Sequence, residues 1–156
     1  MELSLRQAGP DDLPAINRVV EAAFMTWDLP ERVKRLSLPS YRYDEMDLRH
    51  LDLVLAERGA EVVGVAAWEP AEAVDCPDGK RGLLLHGLYV HPHSMRRGVG
   101  AHLLLAVRKA AAAQGFDGVL VKAQKDSLGF FERQGLRALP VEDAARHYAK
   151  RLWLQV

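Results

Sequence analysis

The stretch that most constrains this chain is the apolar run Leu83-Leu84-Leu85-His86-Gly87-Leu88-Tyr89-Val90, followed at once by His91-Pro92-His93-Ser94-Met95-Arg96-Arg97-Gly98-Val99-Gly100-Ala101. A short, nearly continuous apolar run is the pattern of a strand buried on both faces. Pro92 removes a backbone donor and disfavours helix at His91, so the strand stops there. From Val99 onward, Leu103, Leu104, Val107 and Ala110 or Ala111 recur at helical spacing among strong helix formers. A helix is therefore expected at or just after the two glycines. Glycine permits close backbone approach, and the unpaired N–H groups of a helix N-terminus attract anions. Arg96 and Arg97 add fork-shaped cationic donors suited to phosphate. The competing reading is an exposed strand-to-helix turn with two solvated arginines.

At 156 residues the chain has the length of one domain, assigned to 1–156, and can bury a substantial core. Its 21 basic and 21 acidic residues balance, which argues against nucleic acid or an anionic membrane surface as a general partner. Any anion site must be local. Cys76 is the single cysteine, so no intramolecular disulfide or cysteine-rich metal site forms, and its setting among Asp75, Pro77, Asp78 and Gly79 reads as a loop. No apolar run reaches membrane-span length, and the N-terminus lacks a signal-peptide core. A soluble, cytoplasmic protein is expected.

Residues 2–8 alternate as a first strand. Asp11 or Asp12 is placed to cap a helix bearing Pro14 in its first turn, with Leu13, Ile16, Val19, Val20 and Ala23 on one face and an end near Phe24. A shorter helical pattern around Val33 and Leu36 is closed by Pro39. Residues 40–50 show no period and are expected to form a partly exposed surface. Leu53–Glu57 and Val62–Trp68 flank Arg58-Gly59-Ala60-Glu61 as a hairpin, and 69–82 is an excursion. After the central unit, Gln114-Gly115 stops the helix and Val119–Val121 starts another buried strand. Ser127–Gln134 reads as a helix stopped by Gly135, and 147–154 as a last strand. These alternations describe an α/β domain whose central strands are joined by the helix after the glycine loop.

Three phosphate-binding patterns can be compared with the loop. A P-loop needs Gly-Lys-Ser/Thr after the glycines, which is missing. A dinucleotide fingerprint needs a small third residue where Leu103 stands, and an acidic residue on the next strand, where Lys122 and Gln124 stand. The strand, His-Pro, Arg-Arg-Gly-Val-Gly-Ala loop and apolar helix instead resemble the acetyl-coenzyme-A signature of the GNAT-type N-acetyltransferases. Gln124–Leu136, with Gly129-Phe130-Phe131-Glu132-Arg133-Gln134-Gly135, resembles that family's second motif. The resemblance spans nearly the whole chain, with the specific motifs within 83–136. It implies a mixed α/β fold: a central, mostly antiparallel sheet of six to seven strands, splayed at the acetyl-CoA site, with about four flanking helices. It also implies that acetyl-CoA is the acetyl donor. The backbone of Leu88, Tyr89 and Val90 would pair with the pantetheine arm, and Arg96, Arg97, Gly98, Val99, Gly100 and Ala101 would cradle the pyrophosphate. Gln124, Ser127 and Phe131 would complete the cofactor contacts. A homodimer is compatible with the resemblance.

The departures from that pattern are informative. Met95 stands where Arg or Gln is usual, and Gln124 where Asn is common. Phe131 takes the place of a tyrosine that protonates the departing thiolate, and a phenyl ring has no proton to give. Ser127, Tyr89 and Tyr148 are further candidates for that acid. For the base, His86 shares a strand face with Leu84, Leu88 and Val90, and an apolar setting there would keep its imidazole neutral. The segment His86–His91 also resembles the strand of serotonin N-acetyltransferases in which a histidine at this position belongs to a proton relay. A second histidine two residues earlier is replaced by Leu84. A satisfied core histidine is the alternative, and Glu57 and Glu69 are weaker bases. His91-x-His93 has chelating spacing but no third ligand, and reads as a loop cap, so no metal is assigned. Phe24, Trp27, Tyr41, Tyr43 and Trp68 are candidates for an acceptor pocket, since aromatic faces suit an amine's cation. The function expected is acetyl transfer to the primary amine of a small molecule or amino-acid-like metabolite. A protein N-terminal or lysine acetyltransferase is the enzymatic alternative, and a non-catalytic acyl-CoA-binding module is the alternative of another class. A nucleic-acid-binding domain using Arg96, Arg97, Arg108 and Lys109 is disfavoured by the balanced charge.

Overall fold

The computed structural model describes residues 2–156. Its strands are β1 (Leu3–Gln7), β2 (Asp52–Arg58), β3 (Glu61–Pro70), β4 (Gly82–Val90), β5 (Gly118–Lys122), β6 (Arg137–Ala138) and β7 (Arg151–Gln155). The helices are α1 (Leu13–Phe24), α2 (Glu31–Tyr41), α3 (Glu45–His50), α4 (Val99–Ala113) and α5 (Leu128–Arg133). The strands form one sheet in the order β1-β2-β3-β4-β5-β7-β6. The β4–β5 pair is parallel, whereas β1–β2, β5–β7 and β6–β7 are antiparallel. This is the mixed, mostly antiparallel sheet expected, with five α-helices among the described residues rather than about four. The chain divides into two compact units, one running to Ala67 and including Gly87–Leu103, the other made of Trp68–His86 and Leu104–Val156.

In the first unit, α1 buries Ile16, Val19, Val20 and Ala23 against Leu53 and Leu55 of β2 and Val62, Val65 and Ala67 of β3. Each of the valine, leucine and isoleucine side chains among these contributes roughly 1.5–3 kcal/mol when taken out of water. Asp12 does not cap α1 through its side chain, contrary to expectation. Its carboxylate instead accepts the Gly9 N–H at 2.8 Å and a two-pronged contact from Arg6 at 2.8 and 2.9 Å. Arg6 also donates to Glu57 at 2.7 Å, tying the start of α1 to β1 and β2.

One expectation for the following segment is corrected. Pro39 does not close α2, which runs on to Tyr41. The last turn survives the lost hydrogen bond because the Tyr41 ring packs on Phe24 at 4.6 Å and Trp27 at 5.4 Å. Residues 40–50 form the partly exposed surface expected, and within it lies a short helix that no period announced. Asp44 and Asp47 exchange side-chain-to-backbone hydrogen bonds at 2.9 Å, a capping box that starts α3. Tyr43, just before it, is only 4% exposed.

In the second unit, Gly82 of β4 and Gly118 of β5 are directly opposed. A Cβ on Gly82 would stand 2.7 Å from Trp153 Cζ3, and one on Gly118 would stand 2.6 Å from Trp153 Cε2 and from the Leu154 carbonyl. The paired glycines are the slot that admits the indole, which packs with Cys76 and Leu120. Arg151, 3% exposed, donates to the Asp75 carbonyl at 2.7 Å and the Pro140 carbonyl at 2.8 Å, while the Asp75 carboxylate meets Lys122 Nζ at 3.0 Å. Gly115, at φ +79°, ends α4 as expected, with the Phe116 N–H donating to the Ala111 carbonyl at 2.9 Å. The last strand begins at Arg151, later than expected, so Tyr148 lies outside it; the two-residue β6 gives no sequence signal of its own.

Asp12 provides a pH test of the first unit. The Arg6 side chain, and then the Gly9 N–H, hold its carboxyl down to about 2 from the usual 3.8. A depressed carboxylate stabilises the fold fully above its unfolded value and loses that contribution as pH falls through its folded value. Asp12→Asn is therefore expected to lower the melting temperature at pH 7. The gap from wild type should narrow below pH 4 and close near pH 2 in calorimetric scans.

Candidate functional site

Along β4 the burial alternates. Leu83, Leu85 and Tyr89 are buried, Leu84, Leu88 and Val90 are half-buried, and His86 is exposed. The strand is therefore buried on one face and partly open on the other, which corrects the expectation of two buried faces. The apolar shell expected around His86 is incomplete: the side chain is exposed between half-buried Leu84 and Leu88. Pairing of β4 with β5 covers Gly82–Leu85 against Gly118–Val121, and β4 continues past it to Val90. The bonds from the Ala71 N–H to the Gly82 carbonyl and from the His91 N–H to the Val63 carbonyl bracket the β3–β4 pair. Between them β4 advances one residue more than β3, the signature of a bulge.

The loop after β4 is built by short-range hydrogen bonds. His91 Nδ1 accepts the His93 N–H at 3.2 Å, and the two imidazoles stack at 5.0 Å. This is the loop-capping role expected of the pair. The Ser94 N–H donates to the His91 carbonyl at 2.8 Å, closing a 3₁₀ turn over Pro92–Ser94. Arg96 then takes φ +63° and Gly98 φ +82°. A non-glycine residue in the left-handed region is uncommon, and such strain concentrates where backbone is shaped for a ligand. The Gly98 carbonyl accepts both the His102 N–H at 3.0 Å and His102 Nδ1–H at 2.7 Å. The helix starts at Val99, between the two glycines, so the N–H groups of Val99, Gly100 and Ala101 have no acceptor within α4. Val99 and Leu103 are buried, and α4 seats closely because β3 offers Gly64: a Cβ there would lie 2.8 Å from Val99 Cγ1. Arg96 and Arg97, both exposed, stand in the sequence just before this N-terminus. Backbone donors, helix dipole and two cations together form an anion nest.

The same unit carries an aromatic group. Phe24 packs on Trp27 at 4.7 Å, Trp27 lies nearly parallel to Tyr89 at 6.4 Å, and Tyr43 meets Tyr89 edge-on at 6.4 Å. Asn17 grips the Tyr43 backbone from both sides, donating to its carbonyl and accepting its N–H, each at 2.8 Å. This clamp was not foreseen; an asparagine in a helix facing an irregular segment was the available signal. A Cβ on Gly87 would collide with the Tyr43 hydroxyl, so the glycine lets that phenol lie on β4. Burial pushes the Tyr43 and Tyr89 phenols up from their ordinary range. Of the expected acceptor contacts, Phe24, Tyr43 and Trp68 are buried, and Trp27 and Tyr41 are half-exposed. Phe24, Tyr43 and Trp68 are therefore enclosed by packing and offer no face open to a ligand.

In the second unit, the Gln124 carbonyl accepts the Ser127 N–H and the Ser127 hydroxyl, both at 3.0 Å, which starts the turn into α5. Phe131 is 5% exposed, its ring edge-on to Phe130 at 5.1 Å. Tyr148 is 42% exposed and its hydroxyl donates to the Ala123 carbonyl at 3.2 Å. Of the weaker base candidates, Glu57 is held by Arg6, which binds it as an ion-pair partner. Cys76 is buried and burial raises its thiol, which suits packing and not nucleophilic attack. No group of three or more His, Cys, Asp or Glu able to hold a metal ion occurs among the described residues.

The model of the acetyltransferase (GNAT) family matches residues 20–136. The L-methionine sulfoximine/L-methionine sulfone acetyltransferase of Pseudomonas paraeruginosa is 31% identical over 147 residues, covering 86% of this chain and 80% of that protein. The protein of the same name from Pseudomonas aeruginosa matches to the same extent. Among solved structures, the PaiA N-acetyltransferase of Thermoplasma acidophilum, in complex with coenzyme A, superposes with a TM-score of 0.78 at 15% identity over 100% of both chains. A GNAT family acetyltransferase from Brucella melitensis, in complex with acetyl-CoA, gives 0.67 at 20% identity, covering 99% of this chain and 88% of that one. At these identities the structures establish a shared fold.

The nest can be tested with the bare anion. Inorganic pyrophosphate at millimolar concentration is expected to raise the melting temperature. The double variant Arg96→Ala/Arg97→Ala should lose most of that shift, and added salt should shrink it in the wild type. A wild-type protein indifferent to pyrophosphate would contradict the assignment.

Proposed function

Because the chain belongs to the acetyltransferase (GNAT) family, we propose that it transfers the acetyl group of acetyl-CoA directly to the primary amine of a small, amino-acid-like metabolite. The observation that carries the cofactor half of this reading is the nest at the end of β4: left-handed Arg96 and Gly98, the open N–H groups of Val99–Ala101, and two guanidinium groups. That donor set fits a diphosphate in charge and in hydrogen-bonding sense. The bound cofactor would supply an acetyl thioester. Leu88, Tyr89 and Val90 offer strand backbone to its extended arm, and the resemblance assigns Gln124, Ser127 and Phe131 to it as well.

An amine that arrives protonated must lose a proton before its lone pair is available. His86 is assigned as the acceptor of that proton, directly or through water. Its exposure lets the proton pass on to solvent without a buried relay. The half-exposed face of Trp27 suits the cation of the incoming amine. The amino-acid-like acceptor is supported by the relatives named for methionine sulfoximine and methionine sulfone. The reading as a non-catalytic acyl-CoA-binding module draws on Phe131 and Met95, which both depart from the family's pattern.

Calorimetry is expected to show acetyl-CoA binding; none at millimolar ligand would remove both readings. Thiol release across a panel of amino acids, methionine sulfone, polyamines and lysine peptides then separates an enzyme from a binding module, and a metabolite from a protein acceptor. His86→Ala is expected to lower kcat by about 100-fold or more while leaving acetyl-CoA affinity within about twofold. Retention of the full rate would remove His86 as base.

A further inference from the structure

We propose that Tyr148 is the proton donor to the departing coenzyme A thiolate, the role for which Phe131 carries no hydroxyl. The assignment rests on the acetyl-transfer reading above. In that reaction the amine nitrogen bonds to the acetyl carbon, the carbon–sulfur bond breaks, and its electron pair stays on sulfur. An alkyl thiolate binds a proton at neutral pH. Tyr148 gives its phenolic proton to that sulfur, and the proton released by the amine, carried by His86 or water, restores the phenol. Atoms and charge balance with no further reactant.

Five hydroxyls are weighed for the role. Tyr41 ends α2 with its ring held against Phe24 and Trp27 in the aromatic group of the first unit. Tyr43 and Tyr89 are 4% and 7% exposed, enclosed in the aromatic group of the first unit, and burial raises both phenols, making them poorer acids. The Ser127 hydroxyl is committed to the Gln124 carbonyl at 3.0 Å, and an aliphatic alcohol is a far weaker acid than a phenol. Tyr148 is 42% exposed. Its hydroxyl sits at the entry to the very segment that carries Phe131. It donates to the Ala123 carbonyl at 3.2 Å, Gln124 follows directly, and the Gln124 carbonyl seats Ser127, one helical turn before Phe131. The Ala123 N–H donates to the Lys150 carbonyl at 2.9 Å, which pins the chain on the far side of Tyr148 to the end of β5. The hydroxyl is thus delivered to the 123–131 segment by residues 148–150 and not by α5 itself. Rotation about the phenolic C–O bond releases its proton from the Ala123 carbonyl, the movement the transfer requires.

Tyr148→Phe tests this with little structural risk at a half-exposed position. The variant is expected to lose at least tenfold in kcat with acetyl-CoA, with acetyl-CoA affinity by calorimetry unchanged within about twofold. Against the seleno-analogue of acetyl-CoA, whose more acidic selenol leaves without a proton, the loss should shrink to within a few-fold. A hydroxyl reinstated by Phe131→Tyr in the Tyr148→Phe background should recover most of the rate. Unchanged kcat in Tyr148→Phe, or an equal loss on the thioester and the selenoester, overturns the assignment. A wild-type protein that binds no acetyl-CoA overturns the acetyl-transfer reading itself, and the calorimetry registers that separately.

Discussion

Parallel neighbouring strands cannot be joined by a hairpin, so the β4–β5 pair obliges the chain to leave the end of β4, cross over, and return to start β5 at the same end as β4 began. The crossover here is α4. Its N-terminus therefore has to open beside the C-terminal end of β4, bringing three N–H groups that no residue of the helix can satisfy. The anion nest is a consequence of this one pairing choice. Pro92 ends the strand, the His91–Ser94 turn redirects the chain, and Gly98 accepts the left-handed conformation from which the helix starts.

Glycine marks the other places where the backbone must come close to something. Gly64 lets the first turn of α4 settle on β3, Gly87 leaves room for the Tyr43 hydroxyl on β4, and the opposed Gly82 and Gly118 admit Trp153. All four lie in strands, where glycine weakens local propensity, and Gly82 and Gly118 each begin one. The packing they permit offsets that cost, since an indole such as that of Trp153, at 3% exposed, removes more apolar area from water than any aliphatic side chain.

The central unit was legible from the sequence because several independent signals coincide there: an apolar run, a proline, two glycines and a helical period, each with one mechanism behind it. The hairpin and the face of α1 were legible for the same reason. What escaped was decided by tertiary contacts. Pro39 reads as a helix stop until Tyr41 is seen packed on Phe24 and Trp27. The burial of Tyr43 depends on Asn17, twenty-six residues earlier, and no local pattern announces such a clamp. The capping pair Asp44 and Asp47 was visible in the sequence, but aspartate in place of the usual glutamate at the second position hid it. For His86, alternation assigned the face correctly and said nothing about whether that face is filled. Burial is a property of what packs on a strand, which the strand's own residues do not record.

Arg96 shows how magnitudes decide a residue choice in the nest. Holding a non-glycine side chain at φ +63° costs about 1–2 kcal/mol of backbone strain, and glycine would remove it. Glycine would also remove a guanidinium whose hydrogen bonds to a phosphate contribute roughly 1.5–3 kcal/mol. With a diphosphate bound, the arginine is the better residue at this position; without one, it is the worse. A chain selected for stability alone would place glycine there, as it does two residues later at Gly98, where φ is +82°. On the proposed reading, a bound diphosphate offsets the cost of the left-handed Arg96 without removing it, because the backbone conformation itself is unchanged.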